Sequence, residues 1–257
     1  EFLREQSGKL TSFQIIILGF AGVILAGALL LMLPVSPAAG QATPFMEALF
    51  TSTSAVCVTG LVVHDTATYW SGFGQLLIQI GGMGVITVAV SFVMLSGRKI
   101  TLMQRSTMQE AISAPKMGGI VRLTGFIVKT TLVIELLGAA AMAPVFCRDF
   151  GLLPGMKMAL FHSISSFCNA GFDLMGVVEP YSSLTAYAGN WVINLSVMLL
   201  IVTGGIGFLT WDDIRTNGIH LRSYRLQSKV ILAVTAALIA GPALFFYLYE
   251  FGGRDGA

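Results

Sequence analysis

Two short segments hold the residues best suited to chemistry. "ALFTSTSAVCVTGL" runs from Ala48 to Leu61, and "ALFHSISSFCNAGF" runs from Ala159 to Phe172; at an offset of 111 residues, seven of fourteen positions are identical. Each gathers hydroxyls (Ser52, Thr53 and Ser54; Ser163, Ser165 and Ser166) and then runs into Cys57-Val58-Thr59-Gly60 or Cys168-Asn169-Ala170-Gly171. The chemistry on offer is that of backbone carbonyl oxygens, which can replace the water shell of a bare cation without adding charge. Aiming successive carbonyls one way demands unusual dihedrals, which glycine accepts. The hydroxyls can hydrogen-bond the back of the loop. A short helix before the loop turns the negative end of its dipole toward a cation. Nothing in the chain resembles a catalytic triad, a phosphate loop or a transition-metal cluster, and no cofactor is called for, so an enzyme is the least fitting class. Cys57, Cys147 and Cys168 form no CxxC pair and read as small buried thiols.

The elements that must hold these loops are set by composition. Of 257 residues, 55% are hydrophobic and 11% charged, against about 25% charged in a soluble domain; mean hydropathy is +0.80. Apolar runs at about 13–35, 73–95, 123–146, 191–211 and 230–251 each suffice for the roughly 20 residues that cross a bilayer core. The first run is too long for a signal-peptide core and reads as a retained helix. The loops on one side carry Arg4, Lys9, Arg98, Lys99, Arg105, Lys116, Arg122, Arg215, Arg222, Arg225 and Lys229; those on the other carry only Arg148 and Lys157. Positive residues stay inside, so the N-terminus is expected in the cytoplasm of a multi-pass plasma-membrane protein. The outer loops hold Glu47, Asp65, Asp149, Asp173 and Glu179, a negative surface that concentrates cations.

The two repeated segments fall in outer connections, 34–72 and 147–190, each opening near a proline, Pro44 or Pro154. About ten helix-compatible residues follow. That is about 15 Å of helix, too short to cross the bilayer, so each segment dips in and returns as extended chain. Non-helical backbone at that depth is tolerated only inside protein or along a water-filled path. The flanking spans repeat too: Leu10-Thr11-Ser12-Phe13 against Leu123-Thr124-Gly125-Phe126, and Gly81-Gly82-Met83-Gly84 against Gly204-Gly205-Ile206-Gly207. The expected fold is therefore all-α and integral to the membrane, with parallel repeats of helix, pore half-helix, filter loop and helix. The expected organisation is a first repeat over 1–97, a cytoplasmic linker over 98–120, a second repeat over 121–212, a second linker over 213–229, and the first helix of a truncated third repeat over 230–257. Only two loops are present, so the chain reads as part of a longer protein.

"TSAVCVTGL", "SSFCNAGFD" and "LTSFQ" resemble the Trk/Ktr/HKT superfamily of cation transporters, with the membrane subunits of bacterial Ktr potassium uptake systems as the nearest group. The resemblance runs along the whole chain. It implies four repeats around a pseudo-fourfold pore axis with one filter glycine per repeat; Gly60 and Gly171 match the first and second. Two further filter loops, the gating loop and the last-repeat arginine of that family lie outside this sequence. The resemblance implies potassium at the filter residues Cys57, Val58, Thr59, Gly60, Cys168, Asn169, Ala170 and Gly171. It also implies a bacterial plasma membrane, a homodimer, and a cytoplasmic ring of nucleotide-binding RCK subunits as partner. Glycine at 60, where some sodium-type plant members have serine, favours potassium. The alternatives are a sodium transporter and a re-entrant-hairpin carrier for a small solute; many such carriers use inverted repeats, unlike the parallel ones here.

Single residues carry narrower expectations. Asp65 and Asp173 follow their filter glycines and are candidates for charges at the pore mouth. Glu135 lies midway through the third span, where an ionisable group is costly and often functional. Lys129 is six residues earlier and off its face. His64, just past the first filter, reads as a solvated loop histidine, and His162 as a hydrogen-bonding partner within the protein. The glycine runs read mainly as close helix packing. The lipid bilayer is the expected surrounding partner, and nothing points to nucleic acid.

Overall fold

Within the described residues the apolar runs fold as helices, as their length and the want of water in a bilayer require: a helix satisfies its own backbone. The computed structural model describes residues 12–82 and 120–251. Along them run α1 (Ser12–Leu31), α2 (Phe45–Val56), α3 (Gly72–Gly82), α4 (Ile120–Phe150), α5 (Leu152–Phe167), α6 (Trp191–Gly205), α7 (Phe208–Asn217) and α8 (Leu226–Phe246), with short 3-10 turns between α5 and α6 and before α8. The stretches 14–31, 125–150 and 226–249 are long and apolar enough to cross a membrane. The second predicted span is described only through Gly82; its remainder, residues 98–119 of the linker and Leu10 and Thr11 of the first Leu-Thr-Ser-Phe motif lie outside the described residues.

Two compact units divide the chain within α6, between Ile201 and Val202. In the first, α1 packs on α2, α4 packs on α5, and α3 touches α1, α2 and α5. The core side chains include Ala28, Trp70, Ile78, Met142, Phe146 and Met175, while Leu25, Leu29, Leu132, Leu136 and Leu199 lie outward. An apolar exterior around a polar-lined interior suits lipid as solvent. The interior holds Thr51, Ser52, Ser54, Gln75, Gln79, Glu135, His162, Ser163 and Ser165. Gln75 Nε2 donates to the Thr66, Ala67 and Trp70 carbonyls, its Oε1 accepts from Lys157 Nζ at 2.5 Å, and Gln79 Nε2 donates to Phe161 O. The bonds to Lys157 and Phe161 tie α3 to α5.

Two boundaries differ from the sequence expectation. The second half-helix starts at Leu152, two residues before Pro154; a proline in the first turn loses no hydrogen bond, because those N–H groups have no intrahelical partner. The fourth apolar run is not one helix. It leaves the helical path after Gly205 and restarts at Phe208, with Gly207 at φ +80° between them. A glycine supplies that left-handed step without steric cost. In the second unit, Asp213 accepts from Arg225 N and Ser228 Oγ and so caps the start of α8, while Trp211 Nε1 donates to Thr203 O.

Asp65 joins the connection between α2 and α3 to the one between α5 and α6. Its carboxylate accepts from the N–H groups of Ala67, Thr68 and Tyr181 and from the Thr68 hydroxyl, and it is 8% exposed. A side chain at Gly176 would collide with that carboxylate. Burial pushes the Asp65 carboxyl up, but the four bonds outweigh it and hold the carboxyl below its ordinary value of 3.8.

Two outcomes follow from this packing. A methyl on Gly155 would lie 2.5 Å from Cys147 Cα and N, so Gly155→Ala should destabilise the detergent-solubilised protein by about 1–3 kcal/mol, whereas Gly22→Ala, with open space around it, should not; thermal unfolding reads both. A carboxyl whose folded pKa is depressed contributes stability above its unfolded value and loses it as pH falls through the folded one. Melting temperature should therefore drop on acidification below about pH 4. Asp65→Asn should lose about 1–3 kcal/mol at pH 7 and show a flatter drop.

Candidate functional site: two glycine-ended loops

Both half-helices end the same way, and the reason is local. In the first, Thr59 N donates to Ser54 O at 2.9 Å and Val58 N to Ala55 O at 3.2 Å; in the second, Ala170 N donates to Ser165 O at 2.8 Å and Asn169 N to Ser166 O at 3.1 Å. This pair of bonds is the Schellman ending, which puts the residue after the cap in the left-handed region. Here those residues are Val58, at φ +57°, and Asn169, at φ +56°. Asparagine tolerates that region; a β-branched valine is an outlier there. Two residues on, Gly60 and Gly171 are left-handed as well, at φ +71° and +77°, while Thr59 and Ala170 between them are not. An ordinary strand turns successive carbonyls to opposite sides; alternating the hand of the backbone swings them toward one side.

The serines brace this path. Ser54 Oγ donates to Leu61 O at 2.7 Å and Ser165 Oγ to Phe172 O at 2.6 Å. Thr59 Oγ1 adds a bond to Ser54 Oγ at 2.8 Å. One helical turn earlier, Ser52 Oγ donates to Ile24 O at 2.7 Å and Ser163 Oγ to Glu135 O at 2.6 Å. All these positions in the second copy equal those in the first plus 111. Gly27 and Gly138 obey the same offset, and a methyl on either would collide with the facing serine oxygen, Ser52 or Ser163. Thr51 and His162 also correspond: Thr51 Oγ1 donates to Glu47 O, and His162 Nδ1 lies 2.8 Å from Met158 O. Leu174 N donates to His162 Nε2, so Nδ1 carries the proton and the buried ring is neutral.

Among the described residues, no group donates a hydrogen bond to the carbonyls of Cys57, Val58, Thr59 and Gly60, or to those of Cys168, Asn169, Ala170 and Gly171. The two loops meet at their glycines: a methyl on Gly60 would lie 2.7 Å from Ala170 O, and one on Gly171 3.2 Å from Gly60 Cα. Cys57, Thr59, Asn169 and Gly171 are exposed, whereas Val58, Gly60 and Cys168 are half-buried and Ala170 is buried.

The remaining candidates sit around this pair. Asp65 is buried and its carboxylate is spent on the loop clasp. Asp173 is half-buried and accepts from Met175 N at 2.9 Å. Glu135 is 2% exposed, and its Oε1 accepts from Cys168 Sγ at 3.7 Å. His64 pairs with Glu47 at 2.6 Å and stacks on Tyr69. Sequence reasoning missed the left-handed Val58, because valine argues against that geometry. It also missed the reach of Ser52 and Ser163 back to the preceding helix, although the two serines are among the seven matches. The Asp65 to Tyr181 bond spans 116 residues and leaves no local signal. No group of three or more His, Cys, Asp or Glu side chains fit to hold a metal occurs among the described residues.

Comparison with known proteins shows the family. The family model for TrkH, described as cation transport protein, matches residues 5–233. The chain is 40% identical over 249 residues to the potassium/sodium uptake protein NtpJ of Enterococcus hirae, covering 95% of this chain and 54% of that protein. It is 38% identical over 247 residues to the Ktr system potassium uptake protein B of Bacillus subtilis, with the same coverage of 95% and 54%. It is 33% identical to the protein of that name in Vibrio alginolyticus, covering 92% and 52%. The chain thus spans about half the length of the curated relatives it matches. These are transport proteins and not enzymes, and the chain belongs to the TrkH family of cation transport proteins.

Proposed function

We propose that this chain forms half of a potassium-uptake pore, in which the carbonyls of Cys57 to Gly60 and of Cys168 to Gly171 bind the dehydrated ion. The observation that carries the reading is the doubled loop. Two Schellman endings, two serine braces and two left-handed glycines recur at one offset, and each leaves four successive carbonyls without a donor among the described residues. Carbonyl oxygens that accept no hydrogen bond from the protein are free to take the place of a cation's water shell. The repeats are parallel, helix, half-helix, loop and helix, about a pseudo-fourfold axis along the membrane normal. The half-helices end at the loops, so their negative dipole ends favour a cation there.

The relatives' names support potassium as the ion, and the NtpJ name includes sodium, which keeps a sodium path as the second reading. Glycine at 60 favours the first. By the same family resemblance the protein assembles as a homodimeric membrane subunit in a bacterial plasma membrane, its N-terminus cytoplasmic, and docks an RCK-type nucleotide-binding ring. Asp173 and Glu179 are then left to set the charge of the mouth, since Asp65 is occupied.

The test uses the complete reading frame that encodes this chain, in bacterial cells lacking potassium uptake. Gly60→Ser and Gly171→Ser should each lower potassium/sodium discrimination by about tenfold or more, because a side chain at these left-handed positions displaces the carbonyls. Unchanged uptake and unchanged discrimination in both variants would remove the filter assignment.

A further inference from the structure

Building on the filter reading, we infer that Glu135 sets the affinity of the ion path, its carboxylate charge acting on the cation through the base of the second loop. Glu135 lies in the membrane helix α4 and is 2% exposed. Its carboxylate touches Cys168, the first residue of the second loop, through a thiol donor at 3.7 Å. A thiol is a weak donor, too weak to offset the burial of a charge. Among the described residues, no Lys, Arg or His forms an ion pair with Glu135. The charge that would balance it is the one the loop is built to hold.

The first loop provides the control within the molecule. At the offset of 111, Ile24 stands where Glu135 stands and Cys57 where Cys168 stands. The surrounding bonds are the same, with Ser52 Oγ on Ile24 O and Ser163 Oγ on Glu135 O. Packing behind a loop of this kind is therefore satisfied by isoleucine. The carboxyl is an addition that shape does not require, and it makes the two loops unequal. A unit charge about 10 Å from an ion, at an effective dielectric constant of about 20, changes its binding by roughly tenfold.

The experiment measures potassium uptake by the complete reading frame in cells lacking potassium uptake, with each variant's membrane level quantified. Glu135→Gln keeps the shape and the acceptor for the Cys168 thiol but removes the charge. It should raise the KM for potassium about tenfold while Vmax per membrane copy stays within about twofold. Glu135→Ile, which installs the first loop's own residue, should do the same and carries the test if Glu135→Gln fails to accumulate. Glu135→Asp should hold KM within about threefold of the parent, and Ile24→Glu added to Glu135→Ile should bring KM back toward it. A Glu135→Gln protein with the parent's KM, or a Glu135→Ile protein with it, overturns the inference, since a packing or hydrogen-bonding role alone needs no charge. A parent protein that takes up no potassium overturns instead the filter reading on which the inference rests.

Discussion

A backbone placed in hydrocarbon must satisfy its own donors and acceptors, and this chain departs from that rule at two matched places. The N–H groups of Cys57 to Thr59 and of Cys168 to Ala170 donate within the turns, while the carbonyls of Cys57 to Gly60 and of Cys168 to Gly171 accept no bond among the described residues. The rest of the first unit is arranged to permit this. Ser54 and Ser165 pin the far side of each loop, and Ser52 and Ser163 anchor each half-helix to the membrane helix before it. Gly27 and Gly138 let those helices come close enough for the serine oxygen to reach.

The strain in the loops fits the same account. A valine held at φ +57° costs of order 1–3 kcal/mol and persists only where its surroundings overdetermine it. Around Val58 they do: the Schellman pair fixes one side and the Ser54 to Leu61 bond the other. The second loop reaches the same dihedrals with asparagine, which tolerates them, and Asn169 Nδ2 also donates to Ile201 O at 3.3 Å. The Asp65 carboxylate also joins the connection that follows the first loop to the one that follows the second.

Much of this was legible in the residues. Spacing and hydropathy marked the membrane helices, the short helix and the glycine-ended loop. The seven matches at one offset marked the repeat, and the matched serines and glycines are the ones that brace and turn each loop. What stayed hidden was either long-range or contrary to propensity. Nothing near Asp65 announces Tyr181, and valine gives no hint of a left-handed turn. The start of α5 at Leu152 was obscured by Pro154, which looked like a first residue and is in fact inside the first turn. The fourth apolar run concealed its break because Gly204 to Gly207 read equally well as close packing.

Eight backbone carbonyls of this chain are proposed to bind the transported cation. The most direct measurement is anomalous scattering from rubidium, a potassium substitute, in crystals of the complete protein. The account predicts density within coordination distance of the carbonyl oxygens of residues 57–60 and 168–171. Density bound instead by carboxylates elsewhere in the protein, with none along these loops, would contradict it.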